Sequence, residues 1–476
     1  MRQLSKTFAD GEWQASRGNR TLSVLDSATE QPMAEVTLGS AADIDTAVRA
    51  AHAAFPAWSR TTPARRAELL QAIRSALAER AAELADAITG EVGMPAKMSR
   101  RMQVDAPLAI LDMYARHATA FAYEERVGHS RVLREAAGVV GAITAWNYPL
   151  YLLAAKVGPA LAAGCTVVLK PSEIAPLSAV AFAEATVKAG LPPGVFNMVI
   201  GTGEVAGEAL VAHPLVDAVS FTGSTRAGRR VGAVAAEGIK HASLELGGKS
   251  ASVLLDDADL PAAVKSTVNM CFLNSGQTCA ALTRLLVPER LHDDAVRIAA
   301  EVARAFVPAD PRAEGTRLGP LASAAQRERV ERYVARGDAD GAWRACGGTD
   351  RAGLPATGYF VHPTVFGRVA PESAIAQEEI FGPVLCVIPY RDEDDAVRIA
   401  NGTLYGLAGA VWSADTARAE AVALRMRTGQ VDINGAPFNL EAPFGGYRQS
   451  GVGRENGRWG MEAFLETKSV QYPRKA

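Results

Sequence analysis

From about residue 139 the chain alternates short, wholly apolar runs with alanine-rich stretches of helical composition. The runs "VVGAIT" (139–144), "CTVVLK" (165–170), "VFNMVI" (195–200) and "DAVSFTG" (217–223) are apolar on successive residues, as strands buried on both faces are. Between them, residues 152–163, 176–189 and 203–212 read as helices, with another after 224. This rhythm predicts an α/β fold: a mostly parallel, Rossmann-like sheet covered on both faces, binding ligand beyond the carboxyl ends of its strands. Upstream, Leu69, Leu70, Ile73, Leu77 and Leu84 fall near helical spacing, so amphipathic helices are expected at Ala42–Ala57 and Pro63–Thr89. The stretch 127–144 reads as extended before it becomes the first buried strand. A second alternating series begins at "SASVLLDDADL" (250–260). It continues through "TRLLVPE" (283–289) and a helix near 291–306 to "GPVLCVIPY" (382–390). Gly247–Gly248 separates the two series and reads as a hinge between a nucleotide domain and a second α/β domain.

Composition narrows the class. The 476 residues, 48% hydrophobic and 21% charged, suit two or three domains with substantial cores. A net charge of -2 offers no electrostatic support for a nucleic-acid partner. The most apolar region, 139–169, is interrupted by Asn147, Pro149, Lys156, Pro159 and Gly164, so no membrane span is expected. Five cysteines (165, 271, 279, 346, 386) form no CxxC pair. That argues against a disulfide framework or a metal site and fits a reducing cytoplasm. The start, "MRQLSKTFADGEW", has no apolar signal-peptide region.

Chemistry gathers at the strand ends. "TVVLKPSE" places Lys170 and Glu173 where a strand stops at Pro171, within reach of ribose hydroxyls; a surface ion pair would read the same way. "GTGEVAG" (201–207) opens a helix after a strand, where backbone N–H groups favour phosphate. Its spacing is not the dinucleotide fingerprint. "FTGSTRAG" (221–228) repeats the arrangement one strand later. In "LELGGKS" (244–250), Glu245 stands between leucines. Apolar surroundings raise a carboxyl pKa toward that of a general base, although a glutamate paired with a basic residue fits too. In "AWNYP" (145–149), the Asn147 amide is placed to donate to an oxyanion or to satisfy its own turn. "NSGQTC" (274–279) ends in a cysteine that is either a nucleophile or a packed side chain.

Taken in order, "AWNYP", "LKPSE", "FTGST", "LELGGKS", "NSGQTC", "EEIFGPV" and "PFGGYRQSG" resemble the aldehyde dehydrogenase superfamily, over nearly the whole chain. The resemblance implies a Rossmann-like NAD-binding domain (1–123 and 142–246, with 449–464 returning to it) and a catalytic α/β domain (247–448). It also implies a small β oligomerisation element (124–141 and 465–476), and hence a homodimer or homotetramer. It implies that Cys279 attacks the aldehyde as a thiolate, and that Asn147 and the Cys279 N–H hold the oxyanion. Glu245 then activates the water that releases a carboxylic acid from the thioester. Lys170, Ser172 and Glu173 would face the adenosine ribose, Glu173 favouring NAD over NADP. Gly203, Gly207, Phe221, Thr222, Gly223, Ser224 and Leu246 would lie on the pyrophosphate and adenine side. Glu379, Phe381 and Trp146 would lie at the nicotinamide end. Gly276 would let the backbone aim the Cys279 N–H.

By position, Tyr148, Tyr151, Thr278, Ala280, Phe438 and Phe444 line the aldehyde tunnel. That lining suits a medium, apolar or aromatic aldehyde, and Glu441 near the mouth would disfavour acids. Cys271 is close enough in sequence to face the same tunnel. A CoA-acylating semialdehyde dehydrogenase is the nearest alternative, against which Glu245 argues. A thiol hydrolase would need a histidine beside Cys279.

Overall fold

The computed structural model describes residues 2–473. Within them the first alternating series forms an eight-stranded sheet. Its five central strands are parallel: Val139–Ile143, Thr166–Lys170, Phe196–Met198, Ala218–Thr222 and His241–Glu245. The chain winds outward from Val139–Ile143 through Thr166–Lys170 to Phe196–Met198. It then returns to the other side of Val139–Ile143 for Ala218–Thr222 and His241–Glu245. The switch point thus lies between the strands that release "AWNYP" and "TGST", the crevice position of doubly wound sheets. Antiparallel strands close both edges: Gly451–Val452 on Leu244 and Glu245, and Lys6–Ala9 with Glu12–Ala15 beyond Phe196–Met198.

The second series forms a seven-stranded sheet around Ala251–Leu254, flanked by Arg284–Pro288 and Gly409–Trp412. Val384–Tyr390 and Thr364–Gly367 follow in parallel, and Trp343–Cys346 and Asp432–Ile433 form its edges. A third, antiparallel sheet joins Glu124–Val127, Ser130–Ala136 and Leu465–Gln471 and is exposed along most of its length. Residues 474–476 of the expected oligomerisation element lie outside the described residues. Residues 139–141, read as part of that element, instead pair with Thr166–Val168 inside the eight-stranded sheet. Gly138 at φ 134° turns the chain between the two, and the Asp217 carboxylate accepts from Val139 N–H at 2.8 Å.

One reading of the early helices needs correction, and one helix was not read. The helix expected over 63–89 is two, Pro63–Ala78 and Ala81–Val92. Arg80 leaves helical geometry (φ −105°, ψ 15°), and its guanidinium bonds both Glu83 and Glu184. A single apolar spacing across the break hid the turn. The helix Ala106–Ala120, which the apolar pattern did not announce, buries Leu108, Ile110, Leu111, Met113 and Tyr114. It packs on Pro63–Ala78 and on Pro149–Ala163, the helix that carries Tyr151.

Candidate active site

Cys279 follows the helix Leu260–Phe272 through a turn that leaves right-handed space. Asn274, Ser275 and Gly276 have φ of 52°, 56° and 76°, a region that residues with a Cβ rarely occupy. Buried side chains hold it there. Ser275 Oγ donates to Gly319 O at 2.9 Å, and Asn274 Nδ2 donates to Asn147 O at 3.0 Å. Gln277 Nε2 donates to Asn274 O and Val92 O, while its Oε1 accepts from Ala322 N. A Cβ on Gly276 would lie 2.1 Å from the Gly382 carbonyl. Glycine is therefore required for a close approach of two chain segments as well as for its φ.

The same turn reaches Asn147, whose Nδ2 donates to Gln277 O at 3.0 Å, leaving one amide hydrogen unspent. Gln103 Nε2 donates to the Asn147 carbonyl at 2.8 Å and fixes the loop from the other side. Neither Gln103 nor Gln277 was singled out from sequence. Gln277 stood inside a quoted motif, but nothing in a lone glutamine says which carbonyl it will meet.

The pKa values of Cys279 and Glu245, the expected nucleophile and base, are both pushed upward. The Cys279 thiol is raised first by burial and then by the neighbouring carboxyl groups of Glu245 and Glu379, which disfavour the thiolate when ionised. The Glu245 carboxyl is raised well above the usual range, first by burial and then by Glu455; Lys156 and Arg454 pull it back. Neither Glu245 oxygen has a well-formed hydrogen bond, although the Gly446 N–H lies near enough to pull its pKa back slightly. A buried carboxyl so poorly partnered is costly, and a functional role is the ordinary reason to find one. Behind it, Lys156 Nζ donates to Glu455 Oε1 at 2.5 Å and to Ser220 Oγ at 3.2 Å, a buried pair that the sequence did not announce.

Gly247 and Gly248 act here through contact. A Cβ on Gly247 would lie 2.5 Å from Glu379 Oε2, and one on Gly248 would lie 2.4 Å from Cys279 O. The linker is clasped between the glutamate and the cysteine backbone, and Gly248 N donates to Glu379 Oε1 at 2.9 Å. Phe381, at φ 64°, meets the Trp146 ring edge-on at 5.4 Å. Glu379, Phe381 and Trp146 are thereby gathered on one side of Cys279.

Further along that side, Lys170 Nζ donates to Gly201 O at 2.8 Å and to Glu173 Oε2 at 3.2 Å, joining two strand-end turns. Burial lowers its pKa while Glu173 raises it. Ser172 Oγ accepts from Ile174 N at 3.3 Å. Gly203 opens onto empty space, and Gly207 has only ordinary contacts, with Lys170 and Ile143. Gly223 lies on the Phe221 ring and Gly228 on Leu246, both too close for a Cβ. Ser224 caps the helix Thr225–Glu237, its Oγ accepting from Ala227 N. The Thr222 hydroxyl is buried without a partner. An unspent hydroxyl, an open turn and a Lys–Glu pair at neighbouring strand ends fit a dinucleotide.

Of the residues expected to line the tunnel, Tyr148 is bonded to Thr278 Oγ1 at 2.8 Å and Tyr151 is edge-on to Tyr148 at 6.4 Å. Thr278, Cys279 and Ala280 are half-buried. Phe438 and Phe444 meet edge-on at 5.7 Å, and Phe444 pairs through its backbone with Glu455. Glu441 accepts from Arg116 at 2.7 Å and lies 2.8 Å from His117 Nε2. Its charge is thus compensated, which removes the basis for expecting it to repel acids. Cys271 does not face the tunnel: it is sealed in the core, with its Sγ donating to Val384 O at 3.5 Å. Among the described residues no histidine ring hydrogen-bonds to Cys279. The rings of His117, His213, His241 and His292 sit on Glu441, Asp45, Glu466 and Asp293 instead.

A cysteine, an amide and a buried carboxyl beside strand-end turns that suit a dinucleotide are groups that oxidation of a carbonyl compound can use. Comparison with known proteins agrees. Residues 13–470 match the aldehyde dehydrogenase family model, and the chain belongs to that family. It is 48% identical to a 3-succinoylsemialdehyde-pyridine dehydrogenase from a Pseudomonas species, over 99% of both chains. The crystal structure of aldehyde dehydrogenase C from Pseudomonas syringae, a cysteine-to-alanine mutant complexed with NAD+ and octanal, is 45% identical. It covers 99% of this chain and 98% of its own, with a TM-score of 0.98. A Mycobacterium tuberculosis aldehyde dehydrogenase complexed with NAD+ is 42% identical, covers 99% of each chain and has a TM-score of 0.96. The protein is an NAD-dependent aldehyde dehydrogenase.

Proposed function

We propose that Cys279, Asn147 and Glu245 oxidise a medium-sized apolar or aromatic aldehyde to its free acid. The observation that carries this reading is the buried Glu245 carboxyl, which has no well-formed hydrogen bond and whose raised pKa suits a base that works on water. The Cys279 sulfur loses its proton to solvent and adds through its electron pair to the aldehyde carbon. The unspent hydrogen of the Asn147 amide and the Cys279 N–H meet the oxygen that becomes negative. NAD, when bound, takes up the hydrogen lost from the aldehyde carbon, and a thioester on Cys279 remains. Glu245 then removes a proton from water as that water attacks the thioester, releasing the acid and restoring the thiol. Lys170, Ser172, Glu173, Gly203, Gly207 and Phe221–Ser224 would hold the adenosine and pyrophosphate, with Leu246 packed behind them. Glu379, Phe381 and Trp146 would hold the nicotinamide end. The Glu173 carboxylate at the ribose supports NAD over NADP.

The aromatic wall of Tyr148, Tyr151, Phe438 and Phe444 supports the substrate class. So do the octanal complexed with the Pseudomonas syringae relative and the pyridine semialdehyde for which the other Pseudomonas relative is named. Residues 1–123 and 142–246 would form the NAD-binding domain and 247–448 the catalytic one. The exposed three-stranded sheet would join subunits into a homodimer or homotetramer. Free cysteines fit a cytoplasmic enzyme. Among the described residues, no helix is long and apolar enough to cross a membrane. NADH formation across an aldehyde panel, with and without CoA, tests the reading. Turnover without CoA is expected, and a requirement for CoA would replace hydrolysis by CoA acylation.

A further inference from the structure

The two N–H groups assigned to the oxyanion, those of Asn147 and Cys279, are tied together by buried amides. Asn147 Nδ2 donates to Gln277 O at 3.0 Å, two residues before the Cys279 N–H. The Asn147 carbonyl is held in turn from two sides. Gln103 Nε2 donates to it at 2.8 Å and Asn274 Nδ2 at 3.0 Å. All three residues are buried. Each of these bonds ends on a backbone carbonyl, which only accepts, so every amide must turn its nitrogen that way.

Gln103 reaches Asn147 from an unusual turn. In Ser99–Asp105 the helical bonding widens, and Ala106 N donates to Arg101 O, five residues back instead of four. Such π-helical turns are rare and are found mostly at functional sites. Packing alone does not call for a glutamine there. Its Oε1 is buried and accepts from none of the described residues, a cost that an apolar side chain of equal length would avoid. Without Gln103, the Asn147 carbonyl would still accept from Asn274. What Gln103 adds is a second anchor on a separate segment, so the Asn147 peptide is fixed from both sides and does not swing about one bond.

We propose that Gln103 is a positioning residue for the reaction: by holding the Asn147 peptide, it sets where the free amide hydrogen of Asn147 meets the oxyanion. This rests on the oxyanion role given to Asn147 above. An oxyanion donor works only where the charge develops, and a small displacement is costly in rate. Gln103 acts through Asn147, so its loss lowers kcat and leaves the KM values of aldehyde and NAD.

The test is a double-mutant cycle on the rate of NADH formation in the first turnover, using the aldehyde turned over best in the NADH panel. Gln103→Met keeps the length of the side chain and lacks the donor. It should lower that rate about tenfold and change neither KM by more than about twofold. In the Asn147→Ala background the same substitution should cost less than about twofold, because the group it positions is gone. Urea unfolding checks that Gln103→Met is folded. Gln103→Glu, of the same shape and unable to donate once ionised, is a second variant with the same expected pattern. Equal falls in both backgrounds, or no fall where Asn147→Ala is impaired, would overturn this inference alone. Asn147→Ala retaining the wild-type rate would overturn the oxyanion reading and this inference with it.

Discussion

In the region proposed for the cofactor, backbone does most of the shaping; in the region proposed for the aldehyde, side chains do. The proposed crevice lies where consecutive strands end in turns, with glycines 223, 247 and 248 set too close to their neighbours for a Cβ. The proposed tunnel wall takes Tyr148 and Tyr151 from one helix start, Thr278 beside Cys279, and Phe438 and Phe444 from a distant loop. The contrast has a physical basis. A shared cofactor demands one fixed shape, and backbone approach supplies it. A substrate pocket is tuned by exchanging side chains on that frame.

The largest expected effect falls where the two sides meet. Cys279→Ala should lower kcat by more than about 10⁴-fold, read as NADH formation. NAD should still quench tryptophan fluorescence, because no cofactor-side backbone has changed. Loss of NAD binding as well would mean that the two sides are not separable.

Glu245→Gln is next, with a fall of about 10²–10⁴-fold in steady-state rate, the usual range for a general base. The pH dependence follows from the raised carboxyl. A raised pKa keeps Glu245 protonated, and inactive as a base, to higher pH. The wild-type rate should therefore go on climbing with pH above the range in which an ordinary carboxylate has finished titrating, and the acid-release step in Glu245→Gln should lose that climb. A flat wild-type profile would contradict the assignment.

Gly276→Ala adds one methyl on the backbone side, against the Gly382 carbonyl and at positive φ. A destabilisation of about 1–3 kcal/mol, measured by urea unfolding, is expected. The smallest effect belongs to the tunnel mouth. Glu441→Gln weakens exposed contacts with Arg116 and His117 and should change kcat/KM less than about fivefold. A loss of stability there as large as that of Gly276→Ala would dissolve the contrast between frame and lining.

The same contrast explains what was legible in the sequence. Strand-end turns are local, so the placing of Lys170, Glu173, Thr222–Ser224 and Glu245 where strands stop was legible in short motifs. Lys156 with Glu455, and Gln103 with Asn147, meet across 299 and 44 residues. No periodicity links such partners. The break at Arg80 was hidden because apolar spacing continues across it. The role given to Gly276 was incomplete because its closest neighbour, Gly382, lies on another segment.

The central claim is that a covalent intermediate forms on Cys279 and that Glu245 is needed to release it. Intact-protein mass spectrometry of Glu245→Gln, mixed with NAD and an aldehyde, tests both halves. The account predicts a burst of NADH of about one equivalent per site. It also predicts an added mass two hydrogens less than that of the aldehyde, mapping by peptide digestion to Cys279. A burst without any added mass, or an adduct on a different residue, would contradict it.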